Sequence, residues 1–329
     1  MKYLYVLTSD KKDFYFEQAL LSITSIRMKM PNAFVSLLMD DMTAGSLTDN
    51  RDKIHELVDE IKIINLPEKM VKMERSRWLK TSMRHHISGD FLYIDCDTII
   101  ADDLSGINDI DLDIGAVLDI HSLLNENHTK KSVQIRGSKV GFNASFVSDK
   151  YYNSGVIFCK DTPICHNFFQ EWHRLWLVYV SKGIRTDQNA FNQANVMFNN
   201  LITELDGVWN CQIEYGGIAY LADSKIIHYF SFNKSEPAYT LANQGIFQNI
   251  KTNGCITQDI NELLKYPKRN INRNSRLIGD KNGLMIVNSK LFYVCRKCVS
   301  KTFLNSIDSV IAILLNIFIF NKNLFTKKK

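Results

Sequence analysis

The 329 residues predict an α/β fold built on a mixed, mostly parallel sheet flanked by helices, followed by a basic C-terminal helical tail. Three observations lead there. Short apolar runs alternate with helical periodicity over the first hundred residues, the pattern of βαβ units. The apolar run Phe91-Leu92-Tyr93-Ile94 then ends abruptly in Asp95-Cys96-Asp97, and in open α/β sheets ligands gather at the carboxyl ends of strands. The composition, 45% hydrophobic and 23% charged, suits one large globular domain with an appendage, or two domains.

In chain order, Lys2 to Leu7 reads as a first strand and Glu17 to Met30 as a helix stopped by Pro31. Phe34 to Met39 is a second strand, Asp49 to Glu60 a helix, and Ile61 to Leu66 a third strand closed by Pro67. Arg75 to Ile87 is a cation-rich helix, and Gly89-Asp90 turns into the strand that begins at Phe91. No Gly-x-Gly-x-x-Gly follows the first strand, so the dinucleotide-binding fingerprint is absent. Ile114 to Ile120 is a further strand, and the polar stretch Leu123 to Asp149 reads as a long irregular loop, a lid or a disordered segment. Tyr152 to Cys159 resumes strand pattern. Ile164 to Val180 is a helix whose Trp172 and Trp176, at i and i+4, read as core. Asp187 to Met197 is a helix and Lys225 to Phe232 a late strand.

The net charge of +5 is unevenly placed. From Glu262 onward there are 14 Lys/Arg against 3 Asp/Glu, a local +11, so the first 261 residues carry −6. Within that tail, Val310 to Phe320 is apolar except for Asn316 and is flanked by cations, ending in Lys327-Lys328-Lys329. It is shorter than the roughly 20 residues a bilayer span needs. It reads instead as an interfacial helix over residues 310–320, suited to an anionic membrane surface. The expected division is therefore one α/β domain over 1–245 and a basic extension over 246–329. Seven scattered cysteines, with Cys96 and Cys159 inside apolar runs and an isolated Cys295-x-x-Cys298, point to a reducing compartment. With no secretory leader at Met1 to Leu7, the expected location is cytoplasmic, peripheral on the inner face of the membrane. No nucleic-acid partner is expected.

Asp95 and Asp97 repel one another, and the usual relief is a shared proton or a divalent cation. Oxygen ligands suit Mg or Mn. Around this pair the chain resembles glycosyltransferase family 8, retaining enzymes of the GT-A fold, over roughly residues 1 to 240. Leu92-Tyr93-Ile94-Asp95-Cys96-Asp97-Thr98 is similar to the family's metal-binding strand end, and Asp113-Ile114-Gly115-Ala116-Val117-Leu118-Asp119 to its next strand. Tyr152-Asn153-Ser154-Gly155-Val156-Ile157 resembles its Asn-x-Gly-Val strand. Thr186-Asp187-Gln188-Asn189-Ala190-Phe191-Asn192 resembles its Asp-Gln-Asp-x-x-Asn segment, and Ile227-His228-Tyr229 with Lys234 its late His-Tyr motif. The chain departs from the pattern at Asn189, where the family has a second Asp, at Ser231 in place of Gly, at Ser235-Glu236 in place of Pro-Trp, and at Thr8-Ser9-Asp10-Lys11-Lys12.

The resemblance implies a metal-dependent retaining transfer of a hexose from a nucleoside-diphosphate sugar, UDP-linked, to a surface glycan or glycolipid acceptor. Asp95, Asp97 and His228 would hold Mn2+ or Mg2+. Arg77 and Lys234 would hold phosphate oxygens, beside Asp95, and Asp10 and Tyr15 would meet the uridine and ribose. Asp119, Asn153, Asp187 and Gln188 would orient sugar hydroxyls and stabilise a cation-like transition state. Asp187 also reads as a helix N-cap. Two other readings share these residues: a sugar nucleotidyltransferase, against which stands the missing Gly-rich phosphate loop, and a non-catalytic sugar-nucleotide-binding membrane-associated protein. A glycoside hydrolase would want its carboxylates about 5 to 10 Å apart rather than on neighbouring strand residues.

Overall fold

The computed structural model describes residues 1–67, 69–127, 129–142, 149–230, 237–272, 310 and 313. Lys234, Ser231, Ser235-Glu236, Cys295, Cys298 and, apart from Val310 and Ile313, the apolar run 310–320 lie outside the described residues. Among the described residues no helix is long and apolar enough to cross a membrane. Met1–Lys281 form one compact unit and Asn282–Lys329 a second.

The first unit opens with β1 (Lys2–Leu7), α1 (Tyr15–Lys29), β2 (Phe34–Asp40), α2 (Asp41–Gly45) and β3 (Glu60–Ile64). It continues through α3 (Lys72–His86), β4 (Phe91–Ile94), β5 (Thr98–Ile100), β6 (Ile114–Leu118) and α4 (Lys130–Ser138). Then come β7 (Tyr152–Cys159), α5 (Pro163–Ser181), α6 (Gln188–Met197), β8 (Ile202–Glu204), β9 (Cys211–Gln212) and β10 (Ile226–His228). α7 (Gln244–Asn253) and α8 (Gln258–Lys265) follow.

Seven strands form one sheet in the order β3-β2-β1-β4-β7-β6-β8. β7 alone runs against its neighbours β4 and β6, and every other pair is parallel. This is the mixed, mostly parallel sheet that the alternating runs predict. Both faces are covered, so the strands are apolar on both sides. Tyr3, Tyr5, Leu92 and Ile94 pack on the α1 side, while Leu4, Val6, Phe91 and Tyr93 pack against the layer of α3, α5 and α6. A three-stranded sheet, β5-β10-β9, closes over the α1 side.

Three local expectations change. Residues Asp49–Glu56 form a 3-10 helix and β3 starts at Glu60, whose carboxylate accepts from Lys2 and Ser36 across the sheet. The stretch read as an irregular loop contains α4; it carries only Val133 and Ile135 as large apolar residues, too few for a visible stripe, and is held by Val133 packing with Leu124 and Tyr151. The strand read from Lys225 spans only Ile226–His228, because Phe230 adopts φ 49° and turns the chain away. Phe247, Ile250, Ile260 and Leu264 of α7 and α8 are buried in the core on the α1 side.

Trp172 and Trp176 are fully buried on α5, as core residues. Their indole N–H groups are also used: Trp172 donates to the Asp187 carbonyl at 3.2 Å and Trp176 to the Arg185 carbonyl at 3.1 Å. The core thereby anchors the segment that leads into α6. Trp172→Phe should cost about 0.5–1.5 kcal/mol, because the Asp187 carbonyl loses one of two donors and keeps the Phe191 N–H, and Trp172→Ala about 3–5 kcal/mol. Urea unfolding measures both; a Trp172→Phe chain with an unchanged midpoint would show that the carbonyl does not need the indole.

Candidate active site

The reversed direction of β7 builds the site. Its first residues lie at the same sheet end as the last residues of β4 and β6, so Asn153 to Gly155 sit beside Asp95 and Asp119. The Asp95 N–H donates to the Gly155 carbonyl at 2.8 Å and the Asp119 N–H to the Tyr151 carbonyl at 2.8 Å. β10 is antiparallel to β5, pairing His228 with Thr98, and this sets the imidazole next to Asp97.

Asp95 and Asp97 lie in the bend between β4 and β5, not within a strand. Their convergence comes from that bend rather than from alternation along a strand. One ligand atom from each of Asp95, Asp97 and His228 falls within 4.8 Å of the others, and His228 Nε2 is 3.3 Å from Asp97 Oδ1. Two carboxylate oxygens and one imidazole nitrogen are a donor set that could hold a divalent ion. Gly155 makes room for it: a Cβ there would stand 2.4 Å from His228 Cε1 and 2.9 Å from Asp95 Oδ2. His228 stacks on Phe230 at 4.0 Å, which fixes the ring plane.

Cations surround these carboxylates. Lys80, 2% exposed, places Nζ 3.1 and 3.3 Å from the two Asp95 oxygens and 3.6 Å from Asp187 Oδ2. Tyr93 donates its hydroxyl to Asp95 as well. Arg77 Nε lies 2.9 Å from Asp187 Oδ1, near enough for an ion pair but out of line for a hydrogen bond. Burial opposes the Asp187 charge, yet Lys80 and Arg77 outweigh it and hold its pKa below the usual carboxylate range. Burial likewise opposes the Arg77 charge, and Asp187 and then Asp95 more than offset it, raising its pKa. Asp187 does occupy the N-cap position of α6, but its side chain makes no cap hydrogen bond. It turns into the site and accepts from Ser154 Oγ at 3.0 Å.

The other end of the site is amide-rich. Asn153 donates to Asp119 Oδ1 at 3.0 Å, and Gln188 Oε1 accepts from the Ser154 N–H at 3.3 Å. Burial pushes the Asp119 pKa up, against hydrogen bonds from Asn153, Gln188 and Asn127. Asp119 is aimed by a sharp turn in which Ile120 (φ 58°) and His121 (φ 51°) are both left-handed. For a β-branched residue that conformation costs about 1–3 kcal/mol. The Gln212 side chain braces it, accepting from the Ile120 N–H at 2.8 Å and donating to the Leu118 carbonyl at 2.8 Å.

These groups border a cleft of about 680 Å³, within the range of small-molecule sites. Asp95, Asp97, His228, Arg77, Asn153, Asp187, Gln188 and Tyr15 line it. Two expected residues do not. Asp10 is tied down by Lys72, at 2.5 Å, and accepts from the Lys12 N–H, so the loop after β1 closes on itself. Asp119 stands behind Asn153. Lys72, Lys80, Arg136 and Tyr151 line the cleft without having been singled out from the sequence. Lys80 had a signal, since it follows Arg77 by one helical turn; Arg136 had none, being on the helix that lacked an apolar stripe. Asn189 points away from the cleft, accepting from the Tyr151 hydroxyl at 3.1 Å and donating to the Val133 carbonyl at 3.1 Å.

Two histidines near this framework are held neutral. His121 Nε2 accepts from the Gln212 N–H at 3.1 Å, and burial lowers its pKa from 6.5 to about 4. His173 Nδ1 lies 2.7 Å from Thr81 Oγ1, and burial, with His85 and His86, lowers it likewise to about 4. Unfolded, both titrate near 6.5, so between these values the unfolded chain binds more protons. Stability from this source is full above about pH 6.5 and declines as pH falls toward about 4. Urea midpoints measured across that window should fall, and a His121→Gln, His173→Gln double variant should flatten the slope; an equal slope in the variant would refute the assignment.

Residues 89–235 match the family model for glycosyl transferase family 8. No curated protein sequence matches. Among solved structures, the fold is similar to an active-site mutant of LgtC, with TM-score 0.50, 15% identity, and coverage of 77% of this chain and 96% of that one. It is similar also to the WbbM bifunctional glycosyltransferase, with TM-score 0.50, 19% identity, and coverage of 81% of this chain and 51% of that one. The family match over the site-bearing strands supports a glycosyltransferase of family 8, and the shared architecture is a GT-A-like fold.

Proposed function

We propose that the protein is a divalent-metal-dependent, retaining hexosyltransferase. It takes a hexose from a nucleoside-diphosphate sugar, UDP-linked, and passes it to a glycan or glycolipid acceptor of the cell surface. The observation that carries this reading is the convergence of Asp95, Asp97 and His228 at one end of a cleft whose other end is built from amides. Charge supports it. The cleft wall carries three cations, Arg77, Lys80 and Arg136, against three carboxylates, Asp95, Asp97 and Asp187, while Lys72 is taken up by Asp10 and Asp13. A divalent ion would bring the total to about +2, suited to a diphosphate. Bound there, Mn2+ or Mg2+ supplies charge neutralisation for the departing diphosphate.

The residues of the chain divide the rest of the work. Arg77 and Lys80, spaced by one turn of α3, hold phosphate oxygens once the donor enters, with Lys234 contributing from the late motif. Tyr15, 47% exposed at the cleft wall, meets the nucleoside. Gln188, Asn153 and Asp187 orient the sugar, and Asp119 acts through Asn153. The acceptor hydroxyl attacks on the face from which the phosphate leaves, so no enzyme nucleophile is needed. The basic extension, with its apolar run Val310 to Phe320, suits peripheral attachment to an anionic inner membrane surface.

A panel of nucleotide sugars with Mn2+, read by protection against thermal unfolding and by product formation, tests the function. A UDP-hexose should protect only with the metal present. Asp97→Asn should lower transfer by about 100-fold or more and remove the metal dependence of protection. Gly155→Ala should do the same by crowding His228. Protection that ignores metal, or full activity in Asp97→Asn, would sink the metal reading, and protection without any product would favour a non-catalytic binder.

Gln188→Ala separates orientation from binding. Turnover should fall by about 10²–10³-fold with the donor KM nearly unchanged, because the amide acts on the reacting sugar rather than on the nucleotide. A raised KM at normal turnover would contradict that role.

A further inference from the structure

We propose that Asn210 is a positioning residue for His228, and that it joins the metal end of the cleft to the sugar end through a single chain of side-chain amides. The proposal rests on the metal reading above and extends it to a residue outside the cleft wall.

One backbone group fixes the polarity of that chain. The Gly155 N–H donates to Asn153 Oδ1 at 2.9 Å, so that atom is the oxygen and an acceptor. The same oxygen lies 3.0 Å from the Asn210 side chain, which must therefore present its NH2. Asn153 in turn points its own NH2 at Asp119 Oδ1, 3.0 Å away. With Nδ2 committed, Asn210 turns Oδ1 toward His228 Nδ1 at 3.0 Å. An amide oxygen only accepts, so Nδ1 must carry the proton. In the neutral ring the lone pair is then on Nε2, the atom facing Asp97. A neutral imidazole with its free nitrogen toward the carboxylates is the form that ligates a metal, and a hydrogen bond to the other ring nitrogen is what selects it.

Asn210 is placed for this and little else. It is fully buried at the end of the 3-10 turn Gly207–Asn210, just before β9. One polar end meets the sugar-side amide and the other meets the metal-side imidazole. A leucine of similar size would fill the space and break both contacts. An aspartate would keep an acceptor for the Nδ1 proton, but set a second oxygen against Asn153 Oδ1, which Gly155 holds in place.

The full chain is tested as wild type, Asn210→Leu and Asn210→Asp. In metal-free protein, 15N shifts of His228 should report the Nδ1-protonated tautomer in the wild type and in Asn210→Asp, and a mixture in Asn210→Leu. Mn2+ titration by electron paramagnetic resonance should show affinity weakened by about 10–100-fold in Asn210→Leu and near wild type in Asn210→Asp. Turnover should fall in both, because the charge introduced by Asn210→Asp displaces Asn153 even where the metal stays. A mixed tautomer in the wild type, or wild-type Mn2+ affinity in a folded Asn210→Leu chain, overturns the proposal. So does a parallel loss of metal and turnover in Asn210→Asp, which marks a purely structural role. If the wild type shows the Nδ1 tautomer yet takes up no Mn2+, the metal reading is what fails, and the positioning role falls with it.

Discussion

Two carboxylates one residue apart, at the closed end of a cleft, need compensation, and much of the surrounding architecture supplies it. Lys80 is buried to reach both Asp95 and Asp187. Tyr93 gives up its hydroxyl to Asp95, and Arg77 neutralises Asp187. A buried ammonium would be costly alone, and here it is paired with two carboxylates. The framework is thus near electrical balance.

The direction of one strand makes this possible. Had β7 run parallel to β4, its Asn153-Ser154-Gly155 end would lie at the far edge of the sheet, away from Asp95. Running antiparallel, it brings a glycine against the imidazole and an asparagine against Asp119. The strained turn at Ile120 and His121 completes the placement, and its cost is offset by the bracing amide of Gln212 and by the neutral His121 that accepts from the Gln212 backbone. Stability and site geometry are coupled here: conditions that protonate His121 act on the same turn that aims Asp119.

Rigidity is distributed unevenly. The metal-side groups are locked by packing and hydrogen bonds, from Phe230 under His228 to the amide chain through Asn210 and Asn153. The outer wall is lighter, with Tyr15 half exposed and α4 held mainly by Val133 and by Asn189 reaching to its backbone. A fixed inner end suits a site that must position a reacting bond.

The sequence by itself determined the alternation of strands and helices, the buried core of Trp172 and Trp176, and the carboxylate pair at Asp95 and Asp97. These are local signals: a period of 2 or 3.6 and an abrupt end of an apolar run can be read within a window of a few residues. It also ordered the motifs that carry the family resemblance. What only the tertiary structure decided was convergence. Asp10 shares its loop with groups near the cleft yet is closed off by Lys72, and Asp119 is withdrawn behind Asn153. Arg136 and Asn210 enter the site or its support without any pattern marking them, and Lys80 only through its spacing from Arg77. α4 was hidden because a helix held by one buried valine leaves no stripe. Such placements depend on strand direction, on two left-handed residues and on contacts between distant segments, and the energy that selects them is released only when the whole sheet is closed.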